Sequence, residues 1–161
     1  MKKLLILAAV IVAGVAANAA SFKWTGANIY GSNGTDKFSG NADLYAYLAT
    51  ADVSTAVKVD TATVVAGTIK DGSTTGRVFS DDSLASGTAY NFYFVIEDSG
   101  KQFTSVAKTA TGMDVGSTSI AFANQASATQ NASNWAAVPE PTSGLLMLLG
   151  MAGLALKRKR A

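Results

Sequence analysis

The chain has 161 residues, no cysteine, no histidine and a formal net charge of +2. The two absent residue types exclude a disulfide framework, a Ser-His-Asp triad, a Cys-His pair and a metal centre built on cysteine or histidine. Residues 21–137 hold seven basic and ten acidic residues, for a formal charge of −3, which gives no electrostatic reason to expect nucleic-acid binding.

Residues 1–20 have the pattern of a secretion signal peptide. Two lysines precede an apolar run at 4–17, and small residues follow at once. Ala17, Ala19 and Ala20 provide the exit that a signal peptidase recognises, so we expect cleavage after Ala19 or Ala20. A retained membrane anchor is the alternative, but the apolar run is shorter than the ~20 residues that a span needs.

The next part, residues 21–124, predicts a β-rich exported module. Its apolar residues fall in short runs with strand character, separated by turn residues. These runs lie at 21–30, 43–49, 61–69, 77–80, 88–96, 102–107 and 117–124. About seven short strands at near-regular spacing predict an all-β fold, a small antiparallel β-sandwich or barrel-like module.

The strongest strand pattern lies at 88–96. Apolar residues occupy both of its faces, which is typical of a central strand. Residues 97–100, Glu-Asp-Ser-Gly, supply a turn, and 102–107 form a returning strand. We therefore expect a β-hairpin over 88–107.

Two segments depart from the strand pattern. Residues 50–57 could form a short helix capped by Thr50 or Asp52. Residues 125–137 are mostly small and polar and have few large apolar groups to bury, which predicts a linker or a loosely attached edge. Trp135, within this segment, would either anchor at a membrane interface or pack against the module.

The acidic residues offer little chemistry. Asp81-Asp82 and Glu97-Asp98 are neighbours in turn-like surroundings, whereas a glycosidase needs two carboxyl groups facing each other at about 5–10 Å across a cleft. Calcium binding through loop oxygens is the better functional alternative, but no EF-hand spacing is present. We expect no catalytic residue, metal ligand or cofactor, and hence no enzyme.

Aromatic side chains provide the one candidate binding surface. Aromatic residues in strands usually belong to the core or to cross-strand pairs, but they can also stack on sugars. The candidates are Trp24, Tyr45, Tyr47, Tyr90 and Tyr93. Aromatic residues exposed on one face would favour a module that binds carbohydrate or another protein, and buried ones would count against it.

The C-terminal segment, residues 138–161, has three parts in order. Pro139, Glu140 and Pro141 come first, and an apolar stretch follows at 143–156. The last part is a basic cluster of Lys157, Arg158, Lys159 and Arg160. Four consecutive cations resist translocation, so the apolar stretch predicts a transmembrane helix that leaves the module outside the inner membrane. Each proline also favours an extended preceding residue, which suits a segment that a protease threads.

Residues 138–160 resemble the PEP-CTERM sorting signal in this combination of Pro-Glu-Pro, short glycine-containing apolar helix and basic end. The resemblance implies export, retention by the C-terminal helix and processing by an exosortase, a membrane-embedded cysteine protease. It further implies transfer to the cell surface or extracellular matrix, often with polysaccharide production. An ordinary C-terminal membrane anchor is the alternative.

The sequence as a whole predicts a structural component of the surface or matrix. Its expected partners are signal peptidase, an exosortase and, transiently, the inner membrane, with exopolysaccharide or surface glycans as further candidates. A carbohydrate- or protein-binding module is the second hypothesis, and a carboxylate-based hydrolase is a distant third.

Overall fold

A computed structural model describes residues 19–113 and 115–138. These residues form eleven strands and three short helical turns. The strands are β1 (Ala19–Ala27), β2 (Gly40–Leu48), β3 (Val57–Val65), β4 (Thr68–Asp71), β5 (Thr74–Thr75), β6 (Arg77–Ala85), β7 (Ala89–Asp98), β8 (Lys101–Thr104), β9 (Lys108–Thr111), β10 (Thr118–Asn124) and β11 (Trp135–Ala137). The helical turns are Val53–Thr55, Ala126–Thr129 and Ala132–Asn134.

The strands form two sheets. The smaller sheet has the order β10-β1-β6, and the larger has the order β11-β8-β7-β2-β3-β4-β5, with β9 also pairing with β7. Among the described strands the pairings are antiparallel except that of β1 with β10, which is parallel. The prediction of a mainly antiparallel all-β module is confirmed. The strand number exceeds seven because pieces such as β5 are too short to show alternation.

Aromatic side chains between the two sheets form the core. Phe22 and Trp24, at alternate positions of β1, are fully buried. Their ring centroids lie 4.8 Å from Phe92 and 6.3 Å from Phe94 of β7, respectively. Phe122 of β10 meets Phe94 edge-on at 5.0 Å. Burying a side chain of this size contributes about 1.5–3 kcal/mol, so these contacts hold the two sheets face to face.

The predicted hairpin is confirmed as β7 and β8. A two-residue loop joins them, because Asp98 pairs with Lys101 across the end of the hairpin. Ser99 and Gly100 have φ of 52° and 73°, the pair of positive values that a type I′ turn requires. This turn matches the twist of the flanking strands, which is why the Ser-Gly dipeptide closes the hairpin tightly.

A short helical turn lies where the sequence predicted one. It covers Val53–Thr55, and Asp52 is its cap. The carboxylate of Asp52 accepts a hydrogen bond from the Ser54 N–H at 2.8 Å, and this bond lowers the pKa of Asp52. Thr50, the other predicted cap, lies outside the turn.

The segment 125–137 packs against the fold and is not a linker; of the two predicted alternatives the edge is the observed one, because β11 lies at the end of the larger sheet. Thr129 is fully buried, and its Oγ1 accepts a hydrogen bond from the Tyr30 N–H at 3.0 Å. Trp135 is buried against Phe103, and its Nε1–H donates to the Thr129 carbonyl at 2.7 Å. The indole of Trp135 and the hydrogen-bonded hydroxyl of Thr129 hold the segment against the fold, although the segment has few other side chains to bury. Of the two positions left open for Trp135, packing against the module is the observed one.

A polar contact joins the sheets beside the aromatic core. The side chain of Asp60, on β3 of the larger sheet, is only 7% exposed. It accepts hydrogen bonds from Trp24 Nε1 at 2.8 Å and from Arg77 Nε at 3.2 Å, and both donors belong to the smaller sheet. Hydrogen bonding to Asp60 also raises the pKa of Arg77, which contacts Asp71 at 3.4 Å on its outer side.

Asp98 connects the hairpin to the loop after β1. Its Oδ2 accepts a hydrogen bond from the Ser32 N–H at 2.6 Å, and its Oδ1 accepts one from Ser99 Oγ at 3.1 Å. The bond from Ser32 lowers the pKa of Asp98, against a smaller opposing effect of burial. The ionised carboxylate therefore stabilises this junction.

Replacing Asp60 with alanine should lower the free energy of unfolding by about 2–3 kcal/mol. The change leaves Trp24 Nε1 without its acceptor and Arg77 without its buried partner, and the loss stays below that of a fully buried pair because Arg77 is partly solvated. Urea unfolding followed by tryptophan fluorescence measures it. Asp71→Ala is the matched control and should cost less than about 1 kcal/mol, since that pair is exposed. Equal losses in the two variants would contradict the assigned role of Asp60.

The contribution of Asp98 should depend on pH. Its folded-state pKa lies below the unfolded value of about 4, so its stabilisation is present above that pH and is lost as the pH falls through the folded pKa. Asp98→Asn should therefore be less stable than the wild type at pH 7, and the difference should shrink below pH ~4. Urea unfolding across this pH range measures it, with the exposed Asp82→Asn as control. A difference that stays constant with pH would rule the carboxylate contact out.

Candidate functional site

Three tyrosines lie side by side on the outer face of the larger sheet. Side chains alternate along a strand, so Tyr45 and Tyr47 of β2 point outward while Leu44 and Ala46 are buried. Tyr93 of β7 is the direct cross-strand partner of Tyr45. The three tyrosines, called here the tyrosine face, are each partly exposed.

The rings of the tyrosine face are held by one another. Tyr45 and Tyr93 stack with centroids 5.3 Å apart and ring planes within 6°, and Tyr47 meets Tyr93 at 6.3 Å and 58°. Cross-strand aromatic pairs of this kind contribute roughly 0.2–1 kcal/mol relative to alanine pairs. The pairing therefore fixes the ring orientation before any ligand arrives.

The hydroxyl groups of the tyrosine face are available for hydrogen bonding with a ligand. Burial raises the pKa of Tyr93, and the neighbouring Tyr45 and Tyr47 raise it further, so its hydroxyl keeps its proton at neutral pH. The buried Tyr90, in contrast, accepts a hydrogen bond from the Ala85 N–H at 2.9 Å. Within residues 19–113 and 115–138, no hydrogen bond engages the hydroxyls of the three face tyrosines.

A groove of about 610 Å³ runs along the tyrosine face. The helical turn contributes Val53 to its wall, and β8 and the segment after it contribute polar side chains. A second groove of about 310 Å³ continues from it and shares three lining residues, Tyr45, Val95 and Gln102. Because these three residues border both grooves, the two are called here the channel, an open depression across β2, β7 and β8.

The far end of the channel is polar. Asn41, Asp43 and Glu97 border it. Asp43 accepts a hydrogen bond from Thr61 Oγ1 at 2.6 Å and lies 3.4 Å from Lys58 Nζ, whereas Glu97 is exposed. The channel thus combines an aromatic wall with amide, hydroxyl and carboxylate groups.

The five aromatic residues singled out in the sequence divide between the core and the surface. Trp24 and Tyr90 are buried, whereas the other three form the tyrosine face. The sequence could not make this division, because both faces of β7 carry aromatic residues. Sequence reasoning also missed Gln102 and Asp43 as groove residues, although their places in alternating strands provided a signal.

The paired acids do not form a common site. Asp81 lies on β6, where its carboxylate accepts hydrogen bonds from the Ser83 N–H and hydroxyl at 2.8 and 2.6 Å. Glu97 borders the groove, whereas Asp98 faces the Ser32 loop on the opposite side. Within the described part of the chain, no group of three or more acidic residues is arranged to hold a metal ion.

The predicted terminal signals lie mostly beyond the described residues. Pro139, Glu140, Pro141, the basic cluster at 157–160 and Ala17 are all outside them. The predicted transmembrane segment is outside as well, and the described residues contain no helix with the length and apolar character that a bilayer span requires.

Both ends of the described part of the chain are attached to the fold. Ala19 and Ala20 begin β1, and Ala20 is fully buried opposite Asp81. At the other end, the Val138 N–H donates to the Gly100 carbonyl at 3.0 Å. The fold therefore extends to within one residue of Pro139.

Comparison with known proteins identifies the C-terminal segment. Residues 137–160 match the family model described as the PEP-CTERM protein-sorting motif. No curated protein and no solved structure matches the chain. The matched segment includes the Pro-Glu-Pro, the apolar stretch and the basic cluster, and so confirms the resemblance to a PEP-CTERM sorting signal. The chain thus carries a PEP-CTERM protein-sorting motif at its C-terminus, and this motif indicates an exported protein that is targeted to an exosortase.

Proposed function

We propose that the protein is a structural component of the cell surface or extracellular matrix and has no enzymatic activity. The sorting motif at 137–160 is the observation that carries the proposal. In this scheme the N-terminal signal peptide directs export, and signal peptidase removes it after Ala19. The apolar stretch at 143–156 then holds the protein in the inner membrane, with residues 157–160 in the cytoplasm, until the exosortase acts.

The contacts of the acidic side chains support a non-enzymatic role. Asp43 and Glu97 are the two carboxylates of the channel, but they lie on one sheet face rather than opposite each other across a cleft. Asp43 is held by Lys58 and Thr61, and exposed Glu97 lacks the apolar burial that a glycosidase gives its general acid. Release of new reducing ends from a glycan by the protein would contradict this part of the proposal.

A binding module is the second candidate function. The observation in its favour is the exposure of three of the five candidate aromatic residues on one sheet face. Binding and structural roles are compatible, because a matrix component must be held by something in the matrix.

Changing Pro139, Glu140 and Pro141 to alanine should block processing. We expect the wild-type protein from its host to lack both terminal signals and to leave the membrane, and the variant to keep residues 157–160 and stay in it. Intact-mass analysis of membrane and extracellular fractions distinguishes the two. Thr142→Ala, next to the motif, is the matched control and should be processed normally. If wild type and triple variant both keep the tail, the segment is a plain anchor.

The mature protein should begin at Ala20. The Ala20 side chain is fully buried and packs closely against Gly112, where an added Cβ would collide with it. Removing Ala20 would therefore leave a gap in the core beside Gly112. Cleavage after Ala19 keeps this contact, whereas cleavage after Ala20 removes it. The same intact-mass measurement resolves the two products, since they differ by one alanine. A dominant product beginning at Ser21 would show that the contact does not guide processing.

A further inference from the structure

We propose that the tyrosine face and the channel that continues from it bind a neutral glycan chain. This inference rests on the proposed function, which brings the module to a surface or matrix where such polymers are met. It adds the chemical class of the partner and the residues that recognise it.

The aromatic wall supplies the first requirement. A sugar ring presents C–H groups on its faces, and these groups lose water favourably when they contact an aromatic ring. The parallel rings of Tyr45 and Tyr93 are already in place, 5.3 Å apart. Binding therefore costs little side-chain entropy at these two positions.

The hydrogen-bonding groups supply the second requirement. A sugar carries hydroxyl groups around its edge and needs both donors and acceptors beside the apolar wall. The channel provides the tyrosine hydroxyls, the Gln102 amide and, further along, Asn41 and Glu97. The hydroxyl of Tyr93 is protonated at neutral pH and can donate.

The length of the channel favours a polymer over a single sugar. Tyr47 and Asn41 lie at its two ends, six residues apart on β2. Six residues of a strand span roughly 20 Å, which exceeds the size of one sugar ring. The two grooves share Tyr45, Val95 and Gln102, so one chain can pass from one groove to the other.

The charges favour a neutral chain. No lysine or arginine is among the described residues that line the two grooves, whereas Asp43 and Glu97 are. Lys58, the cation beside Asp43, is paired with that carboxylate at 3.4 Å. A polyanionic glycan would therefore meet repulsion without a compensating partner. Carboxylates are also depleted at the core of protein interfaces, which disfavours a protein ligand.

Affinity electrophoresis tests the proposal. Protein purified from its host is run in native gels that contain hydroxyethylcellulose, xyloglucan, galactomannan or laminarin as neutral probes, and alginate as the polyanionic probe. We expect retention by at least one neutral probe and none by alginate. Tyr45→Ala and Tyr93→Ala should each weaken that retention by about tenfold, because each removes one ring of the stacked pair.

Two further variants serve as controls. Tyr30→Ala removes a partly exposed aromatic ring that stacks under Lys37 away from the channel, and it should bind as the wild type does. Gln102 borders both grooves, and Gln102→Ala leaves the tyrosine rings in place. This variant should also weaken binding, and it tests the proposal independently if a tyrosine variant fails to fold. Thermal unfolding of each variant separates loss of binding from loss of structure.

Several outcomes would overturn the proposal. They are no retention by any neutral probe, retention by alginate alone, and equal losses in Tyr30→Ala and Tyr45→Ala. A wild-type dimer that Tyr93→Ala dissociates, without glycan retention, would assign the face to a second copy of the chain. Processing reports separately on the proposed function, because Tyr45→Ala should still lose its tail and reach the outside.

Discussion

The pairing register between β2 and β7 decides which aromatic side chains hold the sheets together and which face the solvent. Both strands carry large residues on both faces, so a shift of one position would exchange the two sets. In the observed register Leu44 pairs with Phe94 toward the core, and Tyr45 pairs with Tyr93 on the outside. The core and the tyrosine face are therefore two results of one pairing.

Polar contacts specify how the two sheets meet. Aromatic burial alone tolerates sliding, because it has little directional preference. The hydrogen bonds from Trp24 and Arg77 to Asp60 do have a direction, and they link β1 and β6 of one sheet to β3 of the other. This arrangement suits a chain without cysteine, in which no disulfide can fix the position of one sheet relative to the other.

Sequence patterns predicted the β class, the β7–β8 hairpin and the C-terminal motif because each depends on residues close together in the chain. They failed where distant residues decide. The strand predicted over 21–30 ends at Ala27, since Asn28 takes a positive φ of 56° and turns the fully buried Ile29 inward. The groove likewise could not be foreseen, because it needs the register of three strands together.

Composition misled most strongly at 125–137. A stretch of small polar residues resembles a linker when its burial is judged from average hydrophobicity. Here its attachment depends on two side chains. Trp135 packs against Phe103 of β8, and Thr129 accepts a hydrogen bond from Tyr30 in the loop after β1. A few well-placed contacts can thus fold a segment that its composition marks as disordered.

The bond from the Val138 N–H to the Gly100 carbonyl has a mechanical consequence. It joins the tail to the tip of the β7–β8 hairpin, one residue before Pro139. Tension applied through the tail would load this bond first and then the three-residue strand β11, which lies at the end of its sheet. The hydrogen bonds between β11 and β8 would break one after another until the buried indole of Trp135 carried the load. The module is thus tethered by a short edge strand that can separate from its sheet before the longer strand pairings are broken.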